Sequence, residues 1–128
     1  MHELSIAQRV LEIVNDSLPA GEARSVASVN IKMGRMSGVV ADSLAFCFEA
    51  IIHGTPLQGA ILNIESVPFM LKCRTCNNCF ESELGLVLCP SCGDAHTSVI
   101  SGTELQVVAI ELHDEHLETD PLTIIAQE

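Results

Sequence analysis

Apolar residues recur at three- and four-residue steps near the start of the chain, at Leu4, Ala7, Val10, Leu11, Val14 and Leu18, with Gln8, Arg9, Glu12 and Asn15 between them. That spacing predicts an amphipathic helix over 4–18. Ser5 and Gln8 have capping-box spacing, although the apolar pattern starts ahead of them, and Pro19 and Gly21 end the helix. Alternation takes over at 25–33, where Ala27, Val29, Ile31 and Met33 are expected to face a core and Ser28, Asn30 and Lys32 to face out. A turn over 34–38 leads to a second helix, about 39–53, that includes Leu44, Phe48, Ile51 and Ile52. It is apolar on most sides and is expected to be well buried. Cys47 within it reads as a small buried hydrophobe. Gly54-Thr55-Pro56 stops that helix. Alternation returns over 60–67, with Ala60, Leu62 and Ile64 set against Asn63 and Glu65. Short apolar runs at 84–88 and 97–100 predict two ribbon strands. Ser101-Gly102 is a turn, and 104–112 is a third long strand.

The order is helix, strand, helix, strand, a cysteine-rich segment, strand. It predicts an α+β fold in which two helices pack on a three-stranded sheet, with a small zinc-ribbon-like domain inserted. The expected division is a discontinuous α+β domain of residues 1–68 and 101–128 around an insert of residues 69–100. The insert is expected to leave and re-enter through adjacent strand ends. Apolar residues make up 48% of the chain, enough for a core, and with no Trp or Tyr and four Phe that core must be aliphatic. No apolar run approaches the roughly 20 residues that span a bilayer. The first residues lack the basic-then-apolar layout of a secretory signal, so a soluble cytoplasmic protein with no membrane association is expected. The net charge is −11 and no Lys or Arg follows Arg74, which argues against nucleic acid as a partner. It suits cations or a basic protein, or it simply maintains solubility.

Between Cys73 and Gly93 the chain reads CRTCNNCFESELGLVLCPSCG. Two C-x-x-C pairs separated by about a dozen residues have the ligand spacing of a structural zinc site. Cys79 creates an overlapping pair, so the first knuckle is either Cys73/Cys76 or Cys76/Cys79. The residue after the second cysteine of such a knuckle turns back with positive φ, where Gly or Asn is tolerated. Asn77 follows Cys76, Gly93 follows Cys92, and Phe80 follows Cys79. The reading is therefore Cys73, Cys76, Cys89 and Cys92 as Zn(II) ligands, with Cys79 and His96 as secondary ligands available for exchange. Iron at four thiolates satisfies the same spacing. A disulfide framework is less expected in a reducing compartment. A segment this short has little core of its own, so its metal should matter for folding.

Met1-His2-Glu3 is a second candidate site. A terminal amine, an imidazole one residue on and the amide nitrogens nearby can form fused chelate rings of the nitrogen-rich, square-planar kind that Ni(II) and Cu(II) favour. The tail, HDEHLETDPLTIIAQE, holds His113 and His116 among acids. It reads as a solvated acidic tail in preference to a weak metal cluster, with Leu122, Ile124 and Ile125 hinting that its far end docks on this chain or another.

MHELSIAQ at the start, GTPLQGAILNIE at 54–65, the paired knuckles ending in CPSCG, and SGTELQVVAIEL at 101–112 together resemble the HypA/HybF family, nickel metallochaperones of [NiFe]-hydrogenase maturation. The resemblance runs from Met1 to about Leu112. It implies a nickel-binding domain of two helices on a three-stranded sheet, with an inserted zinc domain. It implies Ni(II) held as cargo at the N-terminus, a role carried here by Met1, His2 and Glu3, and structural Zn(II) at Cys73, Cys76, Cys89 and Cys92. The implied partners are the GTPase HypB and the hydrogenase large-subunit precursor, and some relatives also serve urease. Monomer and homodimer are both compatible with this reading. Gln58 stands where the family often has Glu, which is expected to weaken a local contact. The implied role is delivery, not catalysis. Two other classes are compatible with the cysteines: a zinc-ribbon binding module for protein or nucleic acid, and a thiol oxidoreductase using Cys76/Cys79. No acid–base or nucleophile constellation supports an enzyme.

Overall fold

The computed structural model describes residues 3–18, 25–83, 85–113 and 116–118. Helix α1 spans Glu3–Ser17 and buries Ile6, Ala7, Val10, Ile13 and Val14. The buried stripe is thus centred on Ile6 and Ile13, and Leu4, expected in it, is half exposed. Because the helix already runs at Glu3, Ser5 lies inside the first turn and is not its cap. The stop expected at Pro19 and Gly21 lies outside the described residues.

Strand β1 (Val26–Gly34) is followed by helix α2 (Ala41–Ile52) and strand β2 (Ile61–Val67). β1 and β2 pair in parallel, with Asn30 opposite Asn63. A parallel pair needs a crossover, and α2 supplies it. The burial of β1 departs from strict alternation because its pairing shifts register between Val26 and Ser28. Such a bulge moves the side-chain phase by one residue, so Val26 is buried and Ala27 only half-buried. α2 ends where His53 takes an extended conformation and Gly54 turns with φ 79°. Thr55 Oγ1 donates to the Ile52 carbonyl at 2.6 Å, and the Gly54 N–H donates to Gln58 Oε1 at 2.9 Å. An amide oxygen accepts as a carboxylate oxygen does, so Gln58 makes a local contact of its own.

Strand β3 (Met70–Cys73) precedes β4 (Cys79–Glu81), β5 (Thr97–Ser101), β6 (Leu105–Leu112) and β7 (His116–Glu118). Among the described residues two sheets result, with orders β2-β1-β6-β7 and β4-β3-β5. The first contains the expected three strands, extended at one edge by β7. That strand falls in the stretch read as a solvated tail; its pairing with β6 sets His116 opposite Glu111. The run at 84–88 was expected to be a strand, but residues 85–88 have no strand structure and Leu84 lies outside the described residues. The ribbon strands are β3 and β4 instead, paired through Leu71 and Phe80, with β5 on the other side of β3.

Both helices lie on one face of the larger sheet. Ile6, Val10 and Val14 from α1, Leu44, Phe48 and Ile52 from α2, Val29 and Ile31 from β1, and Val107 and Ile110 from β6 form one core, aliphatic apart from Phe48. The other face is polar. Asn63 Nδ2 donates to Asn30 Oδ1 at 3.0 Å, Asn30 Nδ2 reaches Glu111 Oε1 at 3.5 Å, and His116 Nδ1 bonds the same carboxylate. This row crosses all four strands. α2 is less covered than its composition suggests: it buries Leu44, Phe48 and Ile52, while Phe46 is 73% exposed.

β2 and β6 flank β1 and are not neighbours, so the chain does not leave and re-enter the larger sheet through adjacent strands. Val67 and Leu105 nonetheless end at the same end of β1, opposite Gly34 and Met33. The junction is tight. Gly34 N donates to the Glu104 carbonyl at 2.7 Å, Arg35 N to Val67 at 2.9 Å and Met36 N to Gly102 at 2.8 Å. A Cβ on Gly34 would stand 2.1 Å from the Gly102 carbonyl carbon, so only glycine lets the two segments approach this closely.

Candidate metal centres

The small sheet positions two matching turns. In the first, Asn77 N donates to the Cys73 carbonyl at 2.9 Å and Cys73 N to the Asn78 carbonyl at 2.8 Å. In the second, Gly93 N donates to Cys89 at 2.8 Å and Cys89 N to Asp94 at 2.9 Å. Each turn closes through a residue in the left-handed region, Asn77 at φ 63° and Gly93 at φ 75°. Asn77 is the one non-glycine residue with positive φ among the described residues. Asn carries little penalty there because its short polar side chain can bond locally. The turns are braced against each other: Thr75 Oγ1 donates to Asp94 Oδ2 at 2.5 Å and Asn78 Nδ2 to Ser91 Oγ at 3.2 Å.

This arrangement brings the sulfurs of Cys73, Cys76, Cys89 and Cys92 to within 4.8 Å of one another. Cys73 and Cys92 stand 3.6 Å apart, as do Cys76 and Cys89. A disulfide needs about 2.05 Å, whereas ligands at about 2.3 Å around a tetrahedral zinc ion stand about 3.8 Å from one another. The four sulfurs therefore fit a tetrahedral, thiolate-bound ion such as zinc. Cys73 and Cys89 are buried, and Cys76 and Cys92 are exposed.

Backbone donors shape the charge of the cluster. The Cys76 N–H lowers the Cys73 thiol, with help from the Thr75 N–H and against partial desolvation. The equivalent Cys92 N–H, with the Ser91 N–H, lowers Cys89 to about 6. The Asn78 N–H acts on Cys76 in the same direction, but hydrogen bonding to Cys89, desolvation and Cys73 together push that thiol up. The Asp94 N–H likewise lowers Cys92, and it is outweighed by Cys73, desolvation and Cys89, which bring Cys92 to about 12. In each close pair, Cys73 with Cys92 and Cys89 with Cys76, one thiol is lowered and its neighbour is raised. N–H groups aimed at the sulfurs are what a metal-bound thiolate requires around it. Asp94 is itself lowered to about 2, first by the Thr75 hydroxyl and then by the His96 N–H and ring.

The other nominated ligands stand outside this group. His96 Nδ1 lies 2.7 Å from Asp94 Oδ1, so the imidazole is engaged by the carboxylate that braces the turns. Cys79 is exposed on β4, where it pairs in register with Lys72. His113 and His116 form no cluster with a third ligand, since the four cysteines are the one such group among the described residues. Met1 and His2 lie outside the described residues, and Glu3 opens α1. Sequence reasoning did not single out Asp94 and Thr75. The signal was present in C-R-T-C and C-P-S-C-G-D, where a short hydroxyl residue inside each knuckle can cap or brace a turn.

The sequence profile described as "Hydrogenase/urease nickel incorporation, metallochaperone, hypA" matches residues 1–112. The chain belongs to the HypA family. The hydrogenase maturation factor HypA of Geotalea daltonii is 45% identical over 107 residues, covering 84% of this chain and 94% of that protein. HypA of Dehalococcoides mccartyi is 37% identical over 115 residues, covering 90% of this chain and 97% of that protein. Among solved structures, a solution structure of HypA protein overlays with a TM-score of 0.65 at 21% identity, covering 90% of this chain and 98% of the other. The solution structure of the Ni metallochaperone HypA from Helicobacter pylori gives 0.61 at 21% identity, covering 90% and 100%. The HypA fold is thus shared at low identity. Among the described residues no helix is long and apolar enough to cross a membrane.

Proposed function

We propose that this chain is a nickel metallochaperone for [NiFe]-hydrogenase maturation, taking up Ni(II) at its N-terminus and releasing it to a partner by ligand exchange. The observation that carries the proposal is the family match. It spans residues 1–112 under a description that names nickel incorporation and so includes Met1-His2-Glu3, and the Helicobacter pylori relative is titled a Ni metallochaperone. The terminal amine of Met1, the His2 imidazole and the amide nitrogens through Glu3 supply the donors. α1 begins at Glu3, and the first N–H groups of a helix have no intrahelical acceptor. The amide at Glu3 is therefore not committed to helix bonding. In this reading the donor set leaves coordination positions open, so an incoming ligand can attack the bound ion.

In this proposal Zn(II) is structural, held by Cys73, Cys76, Cys89 and Cys92, with Cys79 and His96 available only if the insert rearranges. Residues 69–100 form the zinc domain, and residues 1–68 with 101–128 form the nickel domain. The protein works in the cytoplasm as a delivery protein and not a catalyst, and its partners are the GTPase HypB and the hydrogenase large-subunit precursor. The test is a Ni(II) titration of zinc-loaded protein, comparing the Met1 terminus with a version extended by several residues. Extension should abolish stoichiometric binding and its square-planar d–d band. Equal binding by both versions would remove the role given to Met1, His2 and Glu3.

A further inference from the structure

The insert carries a second feature that metal binding does not use. β4 and the segment after it wall a groove of about 590 Å³, lined by Phe80, Leu86, Leu88 and Pro90 with Glu81 and Glu83. Leu86, Val87 and Leu88 are exposed at 61%, 44% and 54%. Isolated exposed leucines are ordinary, but successive ones at a concavity have the make-up of a binding surface. The segment meets the rest of the chain at Gly85 and at Val87. Gly85, at φ 75°, packs so close to Met36 that a Cβ there would stand 2.9 Å from Met36 Cε. The Val87 carbonyl accepts from Thr97 Oγ1 at 2.9 Å. These side chains stay exposed, while the buried apolar residues of the insert include Phe69 and Leu71.

Charge selects the occupant. Arg35 stands beside the groove and is engaged by Glu81 at 3.4 Å, while Glu83 has no ion pair among the described residues. No Lys or Arg follows Arg74 in the chain. A phosphate backbone, an anionic membrane surface or a second copy of a chain with net charge −11 would meet repulsion here. We propose that this groove docks an extended segment of another protein that carries apolar side chains beside Lys or Arg. The apolar side chains enter against Phe80, Leu86 and Leu88, and the cation pairs with Glu83. Buried apolar anchors supply the affinity and the carboxylate supplies selectivity.

The test uses the zinc-loaded full chain, labelled for amide spectra. It is titrated with three short synthetic peptides: one of Leu and Lys, one with each Lys replaced by Glu, and one with each Leu replaced by Ser. The Leu/Lys peptide should shift the amides of Phe80, Glu83, Leu86 and Leu88, and the other two should not. Glu83→Lys and Leu86→Ser should each weaken binding by roughly tenfold or more, with zinc content and the amides of β1 and β6 unchanged. The proposal is overturned if no peptide binds, if shifts scatter over the acidic surface, or if Glu83→Lys binds as well as the unsubstituted protein. Self-association through the same amides would also overturn it, by assigning the groove to a second copy. None of these results bears on nickel uptake, which the terminal extension tests separately.

Discussion

At the scale of single residues, the deciding position is Asn77. The choice between overlapping C-x-x-C pairs was legible in the sequence because it turned on backbone chemistry: Asn77 and Gly93 can take positive φ and Phe80 is strained there. The structure gives Asn77 φ 63° and Gly93 φ 75° and leaves Cys79 outside the cluster. The bracing by Thr75 and Asp94 was not legible in the same way, because hydrogen bonds between turns depend on how the two halves meet. The conformation of Asn77 carries a prediction. Asn77→Val places a β-branched residue in the left-handed region, at a cost of about 1–2 kcal/mol, and zinc affinity should fall by roughly 5- to 30-fold. Asn77→Gly should bind zinc as the unsubstituted protein does. Competition against a colorimetric chelator measures both, and equal affinities for the Val and Gly variants would show that the turn does not depend on φ.

At the scale of elements, hydrophobic period located both helices and the three long strands, yet it misjudged which faces were covered. α2 is the clearest case. Its apolar density suggested burial on most sides, but one layer of helices on one face of a sheet can cover only one stripe of α2, the one holding Leu44, Phe48 and Ile52. Nothing local to the helix distinguishes Phe46 from Phe48; the packing of α1 and the sheet does. The run at 84–88 failed for a related reason, since an apolar segment without alternation does not by itself specify pairing. In β1 the bulge moved the phase at Val26, which no side-chain pattern announces. The two phenylalanines give a sharp comparison. Phe48 is 1% exposed and Phe46 is 73% exposed. Phe48→Ala should cost about 3–5 kcal/mol, and Phe46→Ala should stay within about 0.5 kcal/mol. Urea denaturation of the zinc-loaded protein reads both values, and a large loss for Phe46→Ala would mean that its ring is covered in solution.

At the scale of the whole molecule, two sheets of unequal self-sufficiency meet at a junction built around a close glycine–glycine approach. The larger sheet has a continuous, mostly aliphatic core fed by α1, α2, β1 and β6. Among the described residues, the buried apolar residues outside that core are Ala109, on β6, and Phe69, Leu71, Cys73 and Cys89 around the small sheet, and two of these last four are cysteines of the cluster. A core this small cannot offset the entropy of ordering its strands, so the small sheet has to draw its order from metal–thiolate bonds. The larger sheet has no such need. The Gly34–Gly102 contact and the Arg35–Glu81 pair connect the two without merging their cores. Stripping the metal with a chelator under reducing conditions should therefore act on one sheet only. Amide exchange over 70–73, 79–81 and 97–101 should accelerate by roughly tenfold or more, while the amides of β1 and β6 keep their protection. Uniform acceleration through β1 and β6 would mean that the junction transmits order across both sheets. In that case the metal cluster would stabilise the larger sheet as well as the smaller one.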